Sequence, residues 1–168
     1  ARRGVGRTFQ IPGPLGRVTV WDWLAVGDND GMFTQVDPKD SRWLYTTRQY
    51  GGHSRVDQKL GYETDIWPRR AQGDPYRFQW ITPLHISPHD SKVIYAGAQF
   101  LLRSPDRGNT WSEISPDLST NDKAKQKSSG GDIVTDNTAA EFHSTLLSIA
   151  PSPKDPNVIW VGSDDGNV

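Results

Sequence analysis

Short apolar runs separated by turn residues recur along the chain. No run continues with the roughly 3.6-residue spacing of an amphipathic helix, and Gly and Pro interrupt the apolar positions at close intervals. Such punctuation is typical of short strands that are joined by tight turns. The pattern therefore predicts an all-β protein built from antiparallel strands.

Three segments repeat one pattern. Each contains an apolar strand, a Pro-containing turn with an acidic residue, and a second strand that ends in an aromatic and small residues; the segments are 36–46, 87–97 and 151–162. Their aromatic markers, Tyr45, Tyr95 and Trp160, lie 50 and 65 residues apart. These periods predict β-propeller blades of four antiparallel strands.

Divided in this way, the chain is a single partial β-propeller with about two complete blades and two incomplete ones. The blades are predicted at 16–67 and 78–116, with the outer strand of a truncated blade in 1–15 and the start of a further blade in 141–168. The predicted strands are 8–11, 23–36, 42–48, 54–57, 62–66, 79–86, 93–98, 100–104, 110–114, 144–150 and 158–162. Because a propeller needs at least about four blades, we expect the rest of a longer chain, or self-association of copies, to close the ring.

Residues 104–111 form the most specific motif, a turn between two strand-like runs. It combines Ser104, Asp106, Gly108, Thr110 and Trp111 in the order Ser-x-Asp-x-Gly-x-Thr-Trp. An Asp side chain can accept backbone N–H groups that follow it, and glycine can adopt a positive φ. The motif resembles the Asp-box of BNR-repeat propellers, which joins the third and fourth strands of a blade. The resemblance implies a structural role for these five residues.

Other stretches of the chain are similar to the sortilin-like (VPS10-type) BNR-repeat "glycosyl hydrolase" proteins of bacteria. These stretches are 76–80, 86–90, 107–111, 114–118 and 158–166. The resemblance implies a β-propeller in an extracytoplasmic protein, periplasmic or secreted, and it transfers no catalytic residue.

Sialidases carry a Phe-Arg-Ile-Pro motif, and Gln10 stands at the Arg position here. Because an amide cannot replace a bidentate guanidinium, sialidase activity is disfavoured.

Charge and composition narrow the possible partners. The chain has 19 basic and 20 acidic residues, so its charge gives no reason to expect nucleic-acid binding. No apolar run approaches the ~20 residues of a membrane-spanning helix, so no membrane span is predicted. Cys is absent, and stability must therefore come from packing rather than from disulfides.

Strand order assigns the connections to two faces. The Asp-box turn and the Pro-containing turns lie on one face, and the long segments 67–78 and 116–141 lie on the other, which we call the loop face. Long loops on a rigid scaffold commonly carry function. We therefore predict a ligand site on the loop face. The candidate ligand-binding residues there are Gln49, His53, Trp80, Gln99, His143 and Asp164.

A pair of carboxylates on the loop face would supply hydrolytic chemistry. Glycosidases use two carboxyl groups about 5 Å or about 6.5–9.5 Å apart. Glu141 with Asp28 or Asp30 is the candidate catalytic pair, and Trp80 could stack on a sugar ring. The alternative is that Asp28 and Asp30, like Asp164, simply belong to tight turns.

Two functions remain open from the sequence. The preferred one is an exported binding or scaffold module that recognises a glycan, a peptide or a partner domain, because incomplete blades seldom preserve the ~0.5 Å positioning that catalysis requires. The other is a glycoside hydrolase that acts on a polysaccharide by a two-carboxylate mechanism. His53 and His143 are assigned to the loop face, but no short ligand spacing joins them, while His85 is expected to pack in an apolar strand and His89 to lie on the turn face. No cofactor and no catalytic metal are therefore predicted, although Asp-rich turns leave a structural Ca²⁺ open.

Overall fold

The computed structural model describes residues 32–127 and 143–168, which form ten β-strands in three antiparallel sheets. The first sheet contains β1 (Thr34–Val36), β2 (Trp43–Thr47), β3 (His53–Asp57) and β4 (Tyr62–Asp65). The second contains β5 (Leu84–Ile86), β6 (Ile94–Gly97), β7 (Leu101–Ser104) and β8 (Ser112–Glu113). The third pairs β9 (Leu146–Pro151) with β10 (Ile159–Ser163). No helix within these residues has the length and apolar character needed to cross a bilayer.

The all-β prediction and the division into antiparallel four-stranded sheets are confirmed. In the first two sheets, each strand pairs with the next one along the chain, in the order β1-β2-β3-β4 and β5-β6-β7-β8. Every strand observed overlaps a predicted one. The predicted strand 8–11 and the first part of the predicted strand 23–36 lie outside the described residues.

The repeated segments share one pattern of hydrogen bonds. Each Pro-containing turn begins at an equivalent residue, namely Asp37, Ser87 or Ser152, whose N–H donates to the carbonyl oxygen six positions later at 2.9 Å. The side-chain oxygen of the same residue accepts the N–H two positions later, at 2.9, 3.3 and 3.2 Å respectively. A short oxygen-bearing side chain is therefore needed at this position to hold the turn that follows each first strand.

Consecutive sheets pack face to face through apolar side chains. The first sheet contributes Tyr45 and Ile66 to a cluster whose other members come from the second sheet, namely Leu84, Ile86 and Ile94. A second cluster joins the second and third sheets, and its members are Val93, Tyr95, Leu101, Leu146 and Ile149. Two clusters of the hydrophobic core therefore lie between successive sheets.

The Pro-containing turns of the three sheets contact one another. Lys39 Nζ donates to the carbonyl oxygen of His89 at 3.3 Å, and His89 Nε2 hydrogen-bonds to the carbonyl oxygen of Ser152 at 2.8 Å. Arg107, in the Asp-box turn, forms a 2.5 Å ion pair with Asp37, whose side chain is fully buried. The turns that the sequence assigned to one face are thus in contact at one end of the sheets.

The Asp-box turn has the geometry that the motif predicts. Ser104 Oγ donates to Asp106 Oδ1 at 2.9 Å and accepts the N–H of Gly108 at 2.8 Å. The Asp106 carboxylate also accepts the N–H and the hydroxyl of Thr110, both at 2.8 Å. Burial alone would raise the pKa of Asp106, but these hydrogen bonds outweigh it and lower the pKa below its ordinary value.

The same turn also contacts the first sheet. Gly108 has φ +91°, and a Cβ atom at this position would lie 2.6 Å from Cδ1 of Ile66. Trp111 Nε1 donates to the carbonyl oxygen of Ile66 at 2.8 Å. The Asp-box therefore shapes its own turn and joins the second sheet to the end of the first.

Candidate functional site

A cleft lies at the loop face of the first sheet. It is formed where β2 connects to β3, at the end of β4, and in the segment that leads to β5. The volume of the cleft is about 350 Å³, which is within the range of small-ligand sites. We call it the tryptophan cleft, and its lining residues are Arg48, Gln49, Tyr50, Gly52, Asp65, Trp67 and Trp80.

The connection between β2 and β3 gives the cleft one of its walls. It contains the 3₁₀ turn Gln49–Gly51, in which Tyr50 and Gly51 have φ values of 61° and 79°. A left-handed conformation costs a non-glycine residue roughly 1 kcal/mol or more, and such strain is found most often at functional sites. Gly51 must be glycine here, because a Cβ atom would lie 2.4 Å from the ring of Phe78. The turn closes through a 2.6 Å hydrogen bond from Arg48 N–H to the carbonyl oxygen of Gly52.

Three aromatic side chains line the tryptophan cleft. The rings of Tyr50 and Trp80 meet edge to face, with centroids 5.4 Å apart and an interplanar angle of 77°. Trp67 is 38% exposed, and its backbone N–H donates to Asp65 Oδ1 at 3.0 Å. Exposed aromatic faces of this kind offer a ligand apolar stacking surface.

The charged lining of the cleft comes from Arg48 and Asp65. Arg48 Nη2 donates to Ser54 Oγ at 3.4 Å. Asp65 accepts the backbone N–H of Trp67, and its carboxylate lies 4.0 Å from the guanidinium of Arg69. The cleft thus offers both a hydrogen-bond donor group and an acceptor group beside its aromatic surfaces.

His53, a predicted ligand-binding residue, lies beneath the β2–β3 connection and is fully buried. Its Nδ1 hydrogen-bonds to the carbonyl oxygen of Gly51, and its Nε2 has no hydrogen-bond partner among the described residues. The ring lies 6.0 Å from the ring of Phe78 and 6.1 Å from that of Trp111. Burial lowers the pKa of His53 to about 4, although the Gly51 carbonyl acts in the opposite direction. The neutral ring therefore supports the wall of the cleft from below.

The other predicted ligand-binding residues fall into two groups. Gln49 and Trp80 come together in the tryptophan cleft. Gln99 is 2% exposed, and its Oε1 accepts the N–H of Arg77 at 2.8 Å. His143 and Asp164 lie near each other and near Asp165, with potential ligand atoms within 4.8 Å.

The Asp164 and Asp165 carboxylates are hydrogen-bonded to the chain itself. Asp164 Oδ1 accepts the N–H of Thr145 at 2.9 Å, and Asp165 Oδ2 accepts the hydroxyl of Thr120 at 2.8 Å. Desolvation would raise the pKa of Asp165, but hydrogen bonds from Ser163 and Thr120 outweigh it and lower the pKa to about 2. Both acids therefore hold loops in place, and a structural Ca²⁺ in this region stays a prediction.

The predicted catalytic residues Glu141, Asp28 and Asp30 lie outside the described residues. Conversely, the structure adds cleft residues that the sequence did not single out, namely Arg48, Tyr50, Asp65 and Trp67. One signal was available for Trp67, because it begins the long segment that was assigned to the loop face. For Tyr50 the signal was an aromatic residue followed by two glycines between two strands.

Comparison of the sequence with protein-family models and with curated proteins gives no match. The fold and the cleft nevertheless define a class: an all-β protein of antiparallel four-stranded sheets with an aromatic-lined cleft at the loop face.

Proposed function

We propose that the chain forms blades of a β-propeller and that it binds a glycan in the tryptophan cleft. Two observations support the propeller arrangement. Successive four-stranded sheets pack face to face in chain order, and their Pro-containing turns share one hydrogen-bond pattern at the same end. Radial repetition of such sheets is what defines a propeller.

The equivalent aromatic residues also support this arrangement. Tyr45 and Tyr95 are buried, and each packs in a cluster with side chains of the following sheet. Trp160, at the third equivalent position, is 65% exposed, and the described residues contain no sheet that follows it. In the proposed ring, a further sheet from a longer chain or from a second copy would cover Trp160.

The observation that carries the glycan proposal is the composition of the tryptophan cleft. A sugar ring has an apolar C–H face, which packs on an indole, and hydroxyl groups at its edge, which need donors and acceptors. Trp67, Trp80 and Tyr50 supply the aromatic surfaces, and Arg48 and Asp65 supply polar groups beside them. A glycan therefore fits the cleft better than a purely apolar peptide segment. An exported location is part of the same proposal, since extracellular glycans are its expected ligands.

A glycoside hydrolase is the second candidate, and the position of Asp65 favours it. Asp65 is the acidic residue among the described residues that line the cleft. Hydrolysis would require a second carboxyl group about 5 Å or about 6.5–9.5 Å away. Under this alternative, Glu141, Asp28 or Asp30 would have to supply it.

The proposal is tested by titrating the full chain with a panel of soluble oligosaccharides in a calorimeter. We expect Trp80→Ala to weaken binding of any positive ligand at least about tenfold, because a stacked aromatic is worth on the order of 1.4 kcal/mol or more. Tyr62→Ala is the control, since it removes an exposed aromatic side chain on β4 that does not line the cleft. Equal affinity in Trp80→Ala and wild type would refute the proposal. Release of new reducing ends during the titration would favour the hydrolase.

A further inference from the structure

Resting on the proposed function, we infer that the glycan carries a carboxylate, as a uronic acid does, and that Arg48 binds this group.

Arg48 differs from most arginines of the described chain in lacking an acidic partner. Five other arginines have a carboxylate oxygen within 4.0 Å, namely Arg42, Arg69, Arg70, Arg77 and Arg107. Arg48 lines the cleft and is partly buried, yet residues 32–127 and 143–168 place no carboxylate within 4.0 Å of it. A guanidinium that is partly removed from water is stabilised by an anion, and a planar carboxylate matches its paired N–H groups.

The side chain of Arg48 is positioned by close packing on Gly52. A Cβ atom at Gly52 would lie 3.2 Å from Arg48 Cβ and 3.4 Å from Arg48 Nε. The absence of a side chain at this position leaves room for the stem of Arg48 along the wall of the cleft. The hydrogen bond from Arg48 N–H to the Gly52 carbonyl fixes the same turn from the backbone side.

Asp65 also lines the cleft, but its carboxylate forms an ion pair with Arg69 and not with Arg48. One carboxylate oxygen of Asp65 accepts the backbone N–H of Trp67, and the other lies 4.0 Å from the guanidinium of Arg69. The guanidinium that pairs with Asp65 is therefore that of Arg69, and Arg48 takes no part in this exposed ion pair. The positive charge of Arg48 is left to interact with an acidic group that stacks beside Trp67 or Trp80.

The ligand itself provides the sharpest test, because methyl esterification removes the charge of a uronic acid and keeps the sugar ring. Calorimetric titration uses oligogalacturonides, alginate oligomers and glucuronate-containing oligosaccharides, each as free acid and as methyl ester. For the wild-type chain, we expect at least one free acid to bind about tenfold more tightly than its ester, and the difference to shrink as salt is added.

Variants then show whether Arg48 causes the preference for the free acid over the methyl ester. Arg48→Gln should remove the preference for the free acid, so that acid and ester bind with equal affinity, and Arg48→Lys should keep part of that preference. Arg103→Gln is the control, since Arg103 lies on β7 away from the cleft lining and also lacks a carboxylate within 4.0 Å among the described residues. Thermal unfolding checks that all three variants are folded.

The outcomes separate this inference from the proposed function. Equal binding of acid and ester by the wild type, or a preference that survives in Arg48→Gln, overturns the carboxylate inference. If neutral oligosaccharides bind and depend on Trp80, the proposed function stands without it. If no acid, ester or neutral oligosaccharide binds, both fail.

Discussion

His53 and the turn above it connect the buried part of the first sheet to the tryptophan cleft. The imidazole hydrogen-bonds to the Gly51 carbonyl through Nδ1, while Nε2 lies in a buried position with no acceptor among the described residues. Protonation of Nε2 would create a donor without a partner. The shape of the cleft wall therefore depends on a neutral His53.

This environment predicts how the stability depends on pH. The pKa of His53 is about 4 in the folded protein and about 6.5 in an unfolded chain. As the pH falls below about 6.5, the unfolded chain takes up the proton first, so the free energy of unfolding decreases until about pH 4, by up to about 3 kcal/mol. Urea unfolding at a series of pH values measures this decrease.

A matched variant isolates the contribution of His53 from those of other groups. In His53→Asn, the side-chain amide keeps a donor near the Nδ1 position and cannot titrate. We expect the stability of this variant to vary less between pH 6.5 and 4.5 than that of the wild type, by about 2 kcal/mol. Identical pH profiles for the two proteins would show that His53 does not titrate as described.

Among the structural elements, the Asp-box turn connects local conformation with packing between sheets. Gly108 needs a positive φ for the turn, and it also needs to lack a side chain because Ile66 of the neighbouring layer lies against it. Gly61, in the turn between β3 and β4, also has a positive φ of 71°, but a Cβ atom there would meet nothing within 4 Å. A comparison of substitutions at the two glycines therefore separates the cost of backbone strain from the cost of overpacking.

We expect Gly61→Ala to cost about 1 kcal/mol of stability, the price of a left-handed alanine. Gly108→Ala should cost about 2 kcal/mol more, because overpacking adds roughly 1–3 kcal/mol to the same backbone strain. Chemical denaturation of both variants measures the difference. Equal losses in the two variants would mean that the Ile66 contact contributes nothing to the Asp-box.

The strands and the turns were predictable from sequence because their causes are local. Asp37, Ser87 and Ser152 each begin a Pro-containing turn, and the repeated pattern of turn residues is visible without coordinates. The wall of the cleft was not predictable in the same way. Gly51 must lack a side chain because the ring of Phe78 packs against it, and these two residues lie far apart in the sequence.

In the molecule as a whole, the cleft rests on sheets that are joined at several points. The Arg107–Asp37 ion pair and the hydrogen bond from Trp111 to Ile66 link the first and second sheets. Burial would raise the pKa of Asp37, but hydrogen bonding from Arg107 and from backbone N–H groups outweighs it and lowers the pKa. Because Trp80 precedes the second sheet while Tyr50 and Trp67 flank strands of the first, the geometry of the cleft depends on this junction.

Because the geometry of the cleft depends on packing between sheets, the sequence could identify only some of the site residues. Gln49 and Trp80 were assigned to the loop face by strand order alone, and both line the cleft. Gln99 and His53 were assigned to the same face, but their side chains are buried, since strand order does not determine the direction of a side chain near a strand end. Direction is set by packing between sheets, which involves residues distant in sequence.

The indole N–H signals of the protein report whether the tryptophan cleft is a ligand site. The chain has seven tryptophans, each with one indole signal in a ¹H–¹⁵N correlation spectrum. During titration with the oligosaccharide panel, we expect the Trp67 and Trp80 signals to shift in a saturable manner, while those of Trp111 and Trp160 stay in place. Saturable shifts that leave Trp67 and Trp80 unchanged, or no shift with any member of the panel, would contradict this expectation.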